Sequence, residues 1–280
     1  MRSTVLMAAM LMTASLARPY AGAEAAVRFE PAPCPFTPAS DQVEGRTVIC
    51  GAVFVPEDRS RLEGEWLRLA VAVFKSPTAP TRPPLIFLGG GPGTFVLERF
   101  GPGLSGARAR DLTAERDFIL FDQRGVGFSQ PSLYCQELAD LKYRTIGSHP
   151  TRDQDADDQV AAALACRDRL VASGIDLAAY NTAANADDVN DIRIALGYDD
   201  LDVWGLSYGT RLALAVVERF PEAVHSLVLD SALPRSVSQI RDRAANAERA
   251  FQVLFAGCAA DQGCASVYPD LESSTIWLRD

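Results

Sequence analysis

The sequence predicts an α/β protein, a mostly parallel sheet flanked by helices, with the start of a helical lid at its C-terminal side. Three observations predict it. Short apolar runs at 84–88, 117–121, 201–204 and 226–229 are each bounded by turn residues, as parallel strands covered on both faces are. Helix-patterned stretches lie between the later runs. Three of the runs open directly into Gly89-Gly90-Gly91-Pro92-Gly93, Asp122-Gln123-Arg124-Gly125 and Gly205-Leu206-Ser207-Tyr208-Gly209. The carboxyl ends of strands are where such a sheet binds ligands.

The elements follow in order. Arg2, an uncharged and mostly apolar run over 3–17 and the small-x-small triplet Ala21-Gly22-Ala23 predict a cleavable signal peptide over 1–23. A membrane anchor is the alternative, but the run falls short of the ~20 residues that span a bilayer. A core domain over 24–235 then begins with a proline-rich arm (Pro31, Pro33, Pro35, Pro38) held at Cys34. Strand-like stretches at 47–55 and 65–74, separated by Glu57-Asp58-Arg59, predict an antiparallel hairpin. An alanine-rich helix over 154–172 carries Cys166. A helix over 185–196 puts Val189, Ile192 and Ala195 on one face and stops at Gly197, and another over 210–220 ends at Pro221. Residues 236–280 read as the start of a helical lid, with a helix over 241–255.

Composition narrows the function classes. Hydrophobic residues make up 48% and charged residues 22%, ordinary for a globular protein. With 27 basic against 36 acidic residues the net charge is −9, which excludes a general nucleic-acid binder, since phosphate needs a basic face. Six cysteines, an even number, agree with export to an oxidising compartment, secreted or periplasmic. The simplest pairing joins sequence neighbours, Cys34–Cys50, Cys135–Cys166 and Cys258–Cys264, among several that the count allows. A zinc site is the rival, but no C-x-x-C spacing occurs and only His149 and His225 could add nitrogen ligands. No metal or cofactor, and no stable membrane insertion after signal cleavage, is expected.

Ser207 is the candidate nucleophile. A catalytic serine must stand clear of the sheet at a sharp, strained turn from strand to helix. That turn brings the residues two before and two after into contact, so both are small, here Gly205 and Gly209. The chemistry also needs backbone N–H donors aimed at a developing oxyanion. Tyr208 supplies the amide after the nucleophile, and the loop with Gly90 and Gly91 is the candidate for the second donor.

Gly90-Gly91-Pro92-Gly93, then Asp122-Gln123-Arg124-Gly125-Val126-Gly127-Phe128-Ser129, then the run 204–210, Leu227-Val228-Leu229-Asp230, and Cys258 with Cys264 ahead of Tyr268-Pro269 together resemble one branch of the α/β-hydrolases. It is the group of secreted tripeptidyl-aminopeptidases and proline iminopeptidases, and the likeness covers roughly residues 45–270. The resemblance implies release of residues or short peptides from peptide N-termini through an acyl-enzyme on Ser207. Asp122 and Arg124 are expected to brace the loops beside the site, a surface ion pair being the alternative for either. The family often has another residue where Gly89 stands.

The triad is where the sequence departs from that pattern. Such enzymes order nucleophile, acid and histidine along the chain. The histidine after Ser207 is His225, which precedes the run 226–229 and so falls roughly 15 Å from the strand ends at about 3.3 Å per residue. His149 lies in a polar loop ahead of Ser207, and Asp230 sits at a strand end but by family likeness is structural. The family's acid and histidine follow its lid, so the expectation is a chain truncated before them and nearly inert alone. Ester or other acyl hydrolysis by the same fold, and a non-catalytic secreted binding protein, remain as alternatives.

Overall fold

A computed structural model describes residues 27–61, 63–238 and 240–276. The expected signal peptide over 1–23 lies outside the described residues. Seven strands form one sheet in the order β1-β2-β3-β5-β4-β6-β7. The expected hairpin is β2 (Val48–Pro56) and β3 (Trp66–Phe74), antiparallel with Val48 opposite Phe74 and Pro56 opposite Trp66. The proline-rich arm begins as a short edge strand not expected from the sequence, β1 (Arg28–Pro31), paired antiparallel to β2.

The parallel part is β4 (Leu85–Leu88), β5 (Phe118–Phe121), β6 (Leu201–Leu206) and β7 (Val224–Asp230). Alternation along β3 explains how both faces are filled. Leu69, Val71 and Val73 join one buried cluster, with Val189 and Ile192 of α5 (Thr182–Ala195) and Leu212 and Val216 of α6 (Tyr208–Arg219). Ala70, Ala72 and Phe74 point into the other, with Val96 and Leu97 of α1 (Val96–Phe100) and Ala109 of α2 (Gly106–Thr113). This is the period of two that a doubly covered strand requires. One expectation fails: β7 is not covered on both faces, for Val228 and Leu229 are 53% and 37% exposed. The strand lies at the sheet edge, where among the described residues no strand pairs with its outer side.

Helix boundaries obey their capping residues. α5 starts at Asn181, whose side chain accepts the Ala184 N–H, and ends before Gly197, which sits at φ 74° as a C-terminal stop. Between β5 and α5 stands a helical hairpin of α3 (Gln136–Thr145) and α4 (Arg152–Ala172). The Thr151–Gln154 capping box opens α4, and an Arg169–Glu137 ion pair ties the two helices. In the segment expected to begin a helical lid the chain forms α7 (Arg243–Ala260), α8 (Gln262–Val267) and α9 (Leu271–Ile276). The helix expected over 241–255 therefore runs five residues further, until Cys258 closes its loop with Cys264. All six cysteines pair as sequence neighbours: Cys34–Cys50, Cys135–Cys166 and Cys258–Cys264.

Candidate active site

The elbow at residues 205–209 has the geometry that the motif demands. β6 ends at Leu206 and α6 begins at Tyr208, so a single residue makes the turn. Ser207 makes it at φ 56° and ψ −120°, backbone angles that a side-chain-bearing residue adopts only under strain. The surroundings hold it there. Its N–H donates to the Asp230 carbonyl at 2.9 Å, tying the turn to the end of β7. Its own carbonyl accepts from Thr210 Oγ1 at 2.6 Å, and Thr210 Oγ1 in turn accepts the Leu233 N–H at 2.7 Å. The two glycines are obligatory for contact reasons. A Cβ on Gly205 would stand 2.5 Å from the Gly209 carbonyl oxygen and 2.8 Å from Thr210 Cα, and one on Gly209 would overlap the Leu88 carbonyl.

The glycine loop at 89–93 lies against this turn. A Cβ on Gly90 would come within 2.9 Å of both Ser207 Cβ and the Leu206 carbonyl oxygen, and 3.5 Å from Ser207 Oγ. Gly91 and Gly93 hold φ of 105° and 99°, the left-handed region open to glycine. Tyr208 opens α6, where the first amides have no partner inside the helix. The Gly90 backbone therefore lies against the Ser207 side chain, and the Tyr208 amide follows that serine at the head of α6.

Asp122 and Arg124 are both buried and do not pair with each other, so neither is a surface ion pair. Asp122 accepts the Leu97 N–H at 3.0 Å and the Phe128 N–H at 2.8 Å, joining the start of α1, which leads out of the glycine loop, to the loop after β5. Burial raises its pKa above the usual carboxylate value, against the lowering effect of those amides. Arg124 grips Asp188 of α5 with two bonds, Nε to Oδ2 at 2.7 Å and Nη2 to Oδ1 at 2.6 Å. Arg59 adds a third, 2.6 Å to Asp188 Oδ1, and reaches Asp191 at 2.7 Å. The remaining Arg124 donors go to the carbonyls of Glu57, Ala179 and Pro56. Tyr180 donates to Glu57 Oε1 at 3.0 Å, and burial with that carboxylate raises its phenol pKa.

Some of the functional scaffold escaped the sequence. Gln123 Nε2 donates to the Gly89 carbonyl at 3.1 Å and so anchors the glycine loop. It lies inside the 122–125 motif, but its reach to residue 89 is a tertiary fact. Asp188 and Arg59 carried no functional signal in the sequence, since an acid on a helix face and an arginine in a charged turn are usually solvated.

The two histidines fall apart from the elbow. His225 sits at the start of β7 with Nδ1 2.8 Å from Asp202 Oδ1, while Asp202 starts the strand whose far end leads to Ser207. Ser226, Arg116 and His225 converge on Asp202; burial pushes its pKa up, but these partners outweigh burial and lower it. His149 is exposed in the turn between α3 and α4. Among the described residues no histidine hydrogen-bonds Ser207. Asp230 is exposed and contributes its backbone carbonyl to the elbow.

Residues 83–272 match the family described as the α/β-hydrolase fold, and that span holds the parallel strands, the glycine loop and the elbow. The chain belongs to the α/β-hydrolase family. It is 31% identical over 225 residues to serine protease Hip1 of Mycobacterium tuberculosis, covering 77% of this chain and 42% of that protein. It is 32% identical over 212 residues to the tripeptidyl aminopeptidase of Streptomyces lividans, covering 72% and 38%. Carboxylesterase B of Mycobacterium tuberculosis is 34% identical over 236 residues, covering 80% and 44%. The chain thus spans less than half the length of these curated relatives. This α/β-hydrolase is related to serine proteases, tripeptidyl aminopeptidases and carboxylesterases.

Proposed function

We propose that this α/β-hydrolase carries the nucleophile and oxyanion cradle of an exported serine peptidase that releases residues or short peptides from peptide N-termini. The observation that carries the reading is Ser207, strained at φ 56° with the Gly90 backbone pressed against its side chain. In the reaction, Ser207 Oγ attacks the scissile carbonyl carbon and its proton passes to a general base. The carbonyl oxygen becomes an oxyanion held by the Tyr208 N–H and a donor at Gly90 or Gly91. The C–N bond then breaks, the amine leaves with the transferred proton, and water hydrolyses the ester on Oγ. His225 cannot serve as the base, since it is bonded to Asp202 at the opposite end of the sheet. Base and orienting acid then lie outside the described residues. Relatives that are peptidases support the peptide substrate, and three disulfides support an oxidising compartment.

A second reading, ester or other acyl hydrolysis by the same serine, is favoured by the likeness to carboxylesterase B. A fluorophosphonate probe tests both at the level of chemistry on the longer, base-containing protein that this reading requires: that protein is expected to label at Ser207, and its Ser207→Ala variant not to. No labelling of that protein when folded refutes the nucleophile and favours a binding protein. Turnover of tripeptidyl and aminoacyl naphthylamides supports the peptidase, and turnover of p-nitrophenyl esters alone supports the esterase.

A further inference from the structure

Among the described residues, the non-glycine residues with a positive φ are Ser207 at 56° and Ser231 at 59°. They lie at the two ends of one hydrogen bond. The Ser207 N–H donates at 2.9 Å to the carbonyl of Asp230, which is joined in chain to Ser231. Residues with side chains persist in such conformations only when their surroundings hold them there. What holds the chain after Asp230 therefore bears on the nucleophile.

Residues 231–238 form a strap from the end of β7 towards α7, and two successive residues at the head of α6 hold it. Thr210, fully buried, uses its hydroxyl both ways: it donates to the Ser207 carbonyl at 2.6 Å and accepts the Leu233 N–H at 2.7 Å. A threonine hydroxyl that returns to a carbonyl three residues earlier is a common habit of helices. The bond from Leu233 is not local, for it spans 23 residues of chain. Arg211 clasps the strap further along, its Nη2 donating to the Pro234 carbonyl at 3.0 Å and the Val237 carbonyl at 2.5 Å. Arg235 of the strap also pairs, at the surface, with Glu218, two turns further down α6.

The far end of the strap leads into α7. The Ser238 N–H donates to Asp242 Oδ2 at 3.0 Å, and Asp242 immediately precedes that helix. α7 has little cover of its own, since Phe251, Val253 and Leu254 are each more than half exposed. A displacement of α7 is therefore felt first by the strap, and the strap is fastened to the nucleophile's helix by Thr210 and Arg211.

We propose that the strap 231–238 couples the helical segment α7–α9 to the nucleophile, with Thr210 as the positioning residue that ties Ser207 to the strap and Arg211 as the anchor that fixes the strap in place. The inference rests on Ser207 being the nucleophile, since it assigns the effect of the strap to that residue's reactivity.

The test uses the longer, base-containing protein and a small probe, diisopropyl fluorophosphate, that fills little more than the serine site. Labelling rates against probe concentration separate the maximal rate from the half-saturating concentration. Thr210→Val keeps the shape and loses both bonds; its maximal rate is expected to fall about ten-fold, the effect of one lost hydrogen bond, at an unchanged half-saturating concentration. Thr210→Ser keeps the hydroxyl and is expected to restore the wild-type rate. Arg211→Met removes the clasp and no bond to Ser207, and is expected to lower the maximal rate several-fold. Melting temperatures show which variants are folded, and should Thr210→Val not fold, Arg211→Met decides the coupling. A folded Thr210→Val or Arg211→Met protein that labels at the wild-type rate overturns the inference. So does Thr210→Ser as slow as Thr210→Val, or a change confined to the half-saturating concentration, which would report probe binding rather than the geometry of the serine. Wild-type labelling matched by the variants overturns the coupling alone. Folded wild-type protein that does not label refutes the nucleophile and, with it, the coupling.

Discussion

Replacing Asp188 by alanine is the sharpest test of what holds the site's scaffold together. The carboxylate is fully buried and receives three charge-assisted bonds, two from Arg124 and one from Arg59, at 2.6–2.7 Å. The Arg124 side chain is fully buried too, and that of Arg59 is 25% exposed. Removal leaves Arg124 charged and dry, with its Nε and one Nη2 hydrogen unpaired, and leaves Arg59 only the outer acids Asp191 and Asp187. Breaking a buried pair by deleting one partner costs about 3–5 kcal/mol, against about 0–1 kcal/mol for an exposed pair. At about 2–4 °C per kcal/mol for a domain of this class, the melting temperature should fall by roughly 10 °C. Asp188→Asn, which keeps the shape and one acceptor, should fall between the two. Urea unfolding and calorimetry on the purified chain measure both. A loss below about 1 kcal/mol for Asp188→Ala would refute the reasoning, because it would mean that water reaches Arg124 and that the network behaves as a surface one.

Three further predictions follow from the same geometry. Gly90→Ala places a Cβ 2.9 Å from Ser207 Cβ, so the loop must move; fluorophosphonate labelling of Ser207 in the base-containing protein should slow by about 100-fold, the loss typical of one oxyanion donor. Among the disulfides, opening Cys135–Cys166 should destabilise by about 3–4 kcal/mol and Cys258–Cys264 by about 2 kcal/mol, because sequence separations of 31 and 6 confine the unfolded chain to different degrees; paired Cys→Ser variants in urea check the order. Lys75, Tyr198 and the Ser76 amide outweigh burial at Asp117, and Ser226, His225 and Arg116 do so at Asp202, so both folded-state pKa values lie below the usual 3.8. Their stabilisation is therefore complete above about pH 4 and is lost as pH falls through the lowered values, and Asp202→Asn should flatten the acid limb of a stability profile.

Much of the fold was legible in one dimension because its signals are local. Apolar runs at 84–88, 117–121 and 201–204 became β4, β5 and β6, since residues flanked by turns and buried on both faces need only be uniformly apolar. Gly205, Ser207 and Gly209 announced the elbow, since the contacts that exclude larger side chains lie mostly within the five-residue turn and on the strand beside it. The run at 226–229 misled in one respect: an apolar sequence reports that a strand needs cover, not that the described chain supplies it.

What the sequence by itself determined, then, is the α/β architecture, the elbow at Ser207 and the glycine loop beside it, while the neighbour pairing of the cysteines was the simplest of several until the structure showed it. Each of the first three rests on residues close together in the chain. Only the tertiary structure decided what Asp122, Gln123 and Arg124 do, because their partners at residues 97, 89 and 188 lie tens of residues away. The same holds for the charge of Arg124. An arginine in a sequence is a cation of unknown availability, and only folding against Asp188 and three carbonyls uses up its donors. Long-range pairing of this kind leaves no pattern in composition or periodicity, since either partner alone has the ordinary sequence of a solvated surface.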